Sequence, residues 1–119
     1  LAFPDIRVFW IDRDYKVCGC NQAFSLAFGK PVPKEIEGKR LLEVVRPKYF
    51  SFFHGVISEV FEKGLSKSWK GVFGVGKRLL WFNAVPIKRA DGYTHRVLGV
   101  YMQLDENDFN ITNKLKMEK

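Results

Sequence analysis

Apolar positions in the chain change period several times, and each change marks an element. Residues Arg7–Asp12 read Arg-Val-Phe-Trp-Ile-Asp, a run of β-branched and aromatic residues that suits a strand. Asp12, Arg13 and Asp14 are turn material, and 15–20 is a second β-prone run, so 7–20 predicts a hairpin. Asn21 follows at once, and its side-chain oxygen can accept from an orphan backbone N–H at a helix start. Phe24, Ala27 and Phe28 then recur at helical spacing, and Gly29 stops the short helix. Pro31 and Pro33 predict a loop, 35–38 a turn, and 41–45 a short helical piece.

The longest helix is expected from about Lys48 to Lys63, with Pro47 at its entry and Gly64 at its exit. Phe50, Phe53, Ile57, Val60 and Phe61 lie on one stripe of it. Three β-runs close the chain, at 68–75, 78–87 and 96–104, separated by Gly76 and by Ala90-Asp91-Gly92. Short Gly-containing turns between adjacent β-runs imply antiparallel pairing. Two strands, four helical pieces and three strands make an α+β plan: a five-stranded antiparallel sheet with short helices and one longer helix over one face. Residues 1–6 read as a flank, 7–105 as the domain, and 106–119 as the start of a linker or signalling helix.

Composition narrows the function more than the fold. A 119-residue chain with 46% hydrophobic residues and 11 Phe can bury one core without disulfides or metal. There is no long apolar run and no signal-peptide pattern, which points to a cytoplasmic domain without membrane contact. The net charge of +7 is spread along the chain. Its densest groups, Lys39-Arg40 and Lys77-Arg78, are only pairs, so no nucleic-acid partner is expected. Cys18 and Cys20 are too few for a zinc site and are read as reduced thiols. No Ser/His/Asp or Cys/His set has motif context, and Gly74-Val75-Gly76-Lys77 lacks the spacing of a phosphate loop. No catalytic residue is assigned.

The order of elements, with the residues that punctuate it, resembles the PAS family over 5–105. The matching pieces are Phe9 to Asp14, Gly19-Cys20-Asn21-Gln22-Ala23-Phe24, Gly29, and Glu35-Ile36-Glu37-Gly38-Lys39. They continue with Pro47, Glu62-Lys63-Gly64, Trp81 to Ile87, Ala90-Asp91-Gly92, Leu98-Gly99-Val100 and Asp105. The first third is most similar to PAS domains of bacterial sensor histidine kinases.

That resemblance implies a sensory domain with a ligand held between the helices and the sheet. Strand alternation, with the family's pocket face as guide, gives its lining. From the helices come Phe24, Phe28, Leu42, Phe53, Ile57, Val60 and Phe61. From the strands come Phe73, Leu80, Phe82, Ala84, Gly99, Tyr101 and Gln103, with Trp69, Gly71, Phe9 and Ile11 also inward. So apolar a lining fits a packed core, or a small pocket for an unidentified ligand with Tyr101 and Gln103 as polar handles.

The resemblance also bears on cofactors. The reactive Cys of the flavin-binding branch is missing after Gly38, where Lys39-Arg40-Leu41-Leu42 stands, so flavin is not expected. A haem ligand, if there is one, is His54 on the long helix; the competing reading is a partly exposed His. Val8, Trp10, Leu98, Val100 and Met102 form an apolar outer sheet face, expected to meet a second subunit or a flanking helix. Asp105 matches the residue where the signal leaves toward an attached effector, a histidine kinase first and a diguanylate cyclase or transcription regulator otherwise. In the competing reading the domain is a ligand-free dimerisation module.

Overall fold

A computed structural model describes residues 6–73 and 78–104 of the chain. The elements are β1 (Arg7–Asp12), β2 (Val17–Cys20), α1 (Gln22–Ala27), a 3-10 turn (Pro33–Glu35), α2 (Leu41–Val44), α3 (Pro47–Lys63), β3 (Lys67–Phe73), β4 (Arg78–Lys88) and β5 (Thr94–Leu104). The strands form one antiparallel sheet in the order β2-β1-β5-β4-β3. The last described strand, β5, therefore lies in the middle, and β1 is internal between β2 and β5, with Val8 opposite Val100 and Trp10 opposite Leu98. The α+β plan expected from the sequence is the one the chain adopts.

Local chemistry explains the boundaries, including those that differ from expectation. The second strand begins at Val17 rather than at residue 15, because Tyr15 has a φ of +60° and cannot sit in a strand. The Asp12 carboxylate stabilises that turn by accepting from the backbone N–H of Asp14 (2.9 Å) and Lys16 (3.0 Å). The loop expected around Pro33 contains a 3-10 turn whose first residue is that proline. The long helix starts at Pro47, where the missing N–H costs nothing, and ends at Gly64 with φ +67°.

Asn21 does more than cap α1. Its Oδ1 accepts from Phe24 N–H (3.0 Å) and from Val8 N–H (3.1 Å), while Nδ2 donates to the Ile6 carbonyl (2.8 Å). One side chain thus joins the start of α1 to β1. At the other end of the hairpin, the Arg13 guanidinium donates to the carbonyls of Thr94 (2.9 Å) and Phe61 (3.3 Å) and lies over the Tyr93 and Phe61 rings. It ties β5 and the end of α3 to the turn after β1.

The core lies between the sheet and α3. Phe9, Ile11, Phe24, Phe53, Ile57, Val60, Leu80 and Ala84 have no exposed surface. Phe9 is the hub of an aromatic cluster, with ring centroids 4.8 Å from Phe24, 5.4 Å from Phe53 and 6.4 Å from Phe82. Phe53 also reaches Phe82 (5.1 Å) and Tyr101 (5.3 Å). Truncating such a ring to Ala costs about 3–5 kcal/mol, so this cluster carries much of the stability.

Candidate ligand cleft at the edge of the sheet

The residues expected to line one pocket fall into two groups. Phe24, Phe53, Ile57, Val60, Phe61, Leu80, Phe82, Ala84 and Gly99 are buried in the packed core. Gly99 belongs there because a Cβ at its position would meet Phe9 ring carbons at 2.6 and 2.7 Å and Phe82 at 3.1 Å. Rings occupy the centre of the space where the ligand was expected. Leu42 is a correction. It points outward and is 55% exposed, while Leu41, one position earlier, is the buried residue of the four-residue helix α2. Trp69 is half-buried at the sheet edge, edge-on to Phe52 at 4.7 Å. The side chain of Phe73 and all of Asp105 lie outside the described residues.

The second group lines a cleft of about 280 Å³ between the β1/β5 end of the sheet and the helices. Tyr101, Gln103 and Phe28 line it, joined by Arg7, Ala27, Arg46 and Tyr49, which the sequence did not single out as pocket residues. Arg7 is on β1, opposite Tyr101 in the ladder. Arg46 is the N-cap residue of α3, and Tyr49 is in its first turn. The Arg7 guanidinium donates through Nη1 to Gln103 Oε1 (3.1 Å), and Gln103 Nε2 donates to the Tyr49 hydroxyl (3.1 Å). β1, β5 and α3 are thereby linked through one amide. Arg7 Nε is buried with no hydrogen-bond partner among the described residues. The guanidinium carbon lies 5.7 Å from the Tyr101 ring centroid. Burial pushes the Tyr101 hydroxyl well above its ordinary value of 10.0, against the opposing pull of the Arg7 charge.

His54 takes a different position. It is exposed on α3 and stacks on Tyr15 (centroids 5.1 Å apart) beside Phe50 (5.7 Å), so it does not face the space between helix and sheet. With Leu42, Arg40, Asp14 and Ser51 it lines a second, open hollow of about 390 Å³. Cys18 is half-buried and Cys20 buried, and burial raises both thiols. Among the described residues, no group of three or more His, Cys, Asp or Glu side chains could hold a metal ion, and no helix is long and apolar enough to cross a membrane.

The outer face of the sheet carries Val8, Trp10, Leu98, Val100 and Met102, all half-buried. Trp10 lies flat across Gly19 of β2, where a Cβ would come within 2.1 Å of the indole.

No family model and no curated protein matches the chain. Solved structures do match in shape. A sensory box sensor histidine kinase from Vibrio cholerae superposes with a TM-score of 0.69 at 16% identity, over 84% of this chain and 79% of that one. The PAS domain of histidine kinase ThkA gives 0.65 at 18% identity, over 83% and 98%. VqmA bound to DPO gives 0.69 at 16% identity over 84% of this chain, which spans only 52% of VqmA's length. The shared feature is the architecture: an antiparallel five-stranded sheet with its helices on one side.

Proposed function

For this chain, which has the PAS fold, we propose a sensory role: occupancy of the edge cleft is passed through β5 to an effector in the same polypeptide. The supporting observation is the amide of Gln103. It accepts from Arg7 on the floor of the cleft and donates to Tyr49 on α3, one residue before the end of the described β5. A ligand that draws Arg7 away breaks one of these bonds and changes how the last strand is tied to the helices. The Arg7 bond has a charged donor, and the roughly 1.5–3 kcal/mol such a bond contributes is enough to bias a two-state output tenfold or more.

The effector in this reading is a histidine kinase, as in two of the structural neighbours. A transcription regulator is the alternative, since VqmA has been solved with ligand and DNA. The domain works in the cytoplasm as a homodimer joined through its outer sheet face. Native mass spectrometry of the 119-residue chain, followed by amide-shift mapping with any molecule retained, tests the sensory role. Shifts centred on Arg7, Tyr49 and Gln103 are expected. A protein that retains nothing, and whose Gln103→Ala variant leaves effector output unchanged, would sink it.

A specific observation favours a second reading, a ligand-free dimerisation module. The space between the sheet and α3 is filled by Phe9, Phe24, Phe53 and Phe82. In that case the same mass spectrum shows a bare dimer, and cleft variants change nothing but stability.

A further inference from the structure

From the composition of the edge cleft we infer the chemical class of its ligand: a small aromatic carboxylate. This inference rests on the sensory reading above. The cleft holds two guanidinium groups, Arg7 and Arg46, and no Asp or Glu among the described residues that line it. The ion pairs among the described residues all belong to Glu59, with Lys63 and Lys67, so neither arginine has a carboxylate partner there. Arg7 spends one N–H on Gln103 and leaves its buried Nε without a partner. A planar guanidinium with donors to spare matches a carboxylate, which can accept two parallel bonds from it.

The field of α3 adds to the attraction. Arg46 and Tyr49 place the start of this 17-residue helix against the cleft, and its first turn contains no acidic residue to neutralise it. The remaining walls choose the rest of the ligand. Phe28 and Tyr49, both half-buried, offer ring surface, with Tyr101 buried behind them and Ala27 adding a small apolar side chain to the wall. A flat ring between such faces buries apolar area while its carboxylate stays on the arginines. The volume of about 280 Å³ is just below the usual range for small-molecule sites, about 300–1,000 Å³, which restricts the ligand to roughly a single ring with short substituents.

Titration of the 119-residue chain with benzoate, benzamide and inorganic phosphate, read by calorimetry and by the Arg Nε and Gln side-chain NMR signals, tests the inference. Benzoate is expected to bind, to shift the Arg7 Nε–H and Gln103 signals, and to weaken as salt rises. Arg7→Gln and Arg46→Gln should each weaken it at least tenfold, while Arg40→Gln, on the exposed surface outside the cleft, should not. Thermal unfolding of each variant separates lost binding from lost folding, and Arg7→Lys keeps the charge without the fork. Benzamide binding as tightly as benzoate overturns the carboxylate assignment and leaves the sensory reading standing. Phosphate binding as tightly as benzoate overturns the aromatic part. If no probe binds, the ligand class is overturned; the sensory reading falls with it only when the purified chain also retains no molecule and Gln103→Ala leaves effector output unchanged.

Discussion

At Gly99 a hydrogen stands where any other residue would push carbon into the Phe9 ring. Gly99→Ala is therefore expected to destabilise the fold by about 1–3 kcal/mol, because the packed rings must shift to accept it. Urea unfolding measures this, and an unchanged midpoint would show that the cluster yields freely. Strand alternation placed Gly99 inward but could not say why a glycine stands there; that needed the ring it makes room for. Tyr101 carries a pH prediction. Its folded pKa is raised by burial above the ordinary 10.0, so its contribution is fully present below pH 10 and is lost as pH rises further, when only the unfolded chain readily ionises. Tyr101→Phe should flatten the alkaline loss of stability without removing it, since Tyr15 is raised for the same reason. Chemical denaturation at pH 9 to 11 reads both slopes, and identical slopes would refute the assignment.

Among the elements, those written in local chemistry were legible. Asn21 before a 3.6-period run, Pro47 and Gly64 around the long stripe, and alternation in the last strands all identify their elements from neighbours in sequence. Asn21→Ala should cost about 2 kcal/mol, at the upper end for a lost cap, because the Val8 N–H loses its partner with the Phe24 N–H. Asn21→Asp, which keeps the acceptor, should recover most of it, and urea midpoints of the pair decide the matter. What failed was a register in a helix too short to set its own phase. α2 has four residues, so a shift of one position exchanges Leu41 for Leu42. The early start expected for β2 failed because nothing in the identity of Tyr15 announces a positive φ. The arginine wall of the cleft was hidden for another reason. Arg7 and Gln103 are 96 positions apart, and only the β1–β5 ladder brings them together.

For the whole molecule, the outer sheet face makes the prediction. Val8, Trp10, Leu98, Val100 and Met102 keep partly open apolar surface on one side of a sheet whose other side is the core. Sedimentation should give a dimer for the wild-type chain and a folded monomer for Val100→Glu. A wild-type monomer at high concentration would refute the dimer. The three neighbours named above, at 16–18% identity, share the architecture of the chain. The internal place of β1 has one more consequence. Its ladder partner β5 is the last of the described strands to be synthesised, so a nascent chain holds Phe9 and Ile11 beside an open edge until residues near 104 have left the ribosome. Early termination before β5 should yield not a smaller domain but a sticky fragment, which is work for a chaperone.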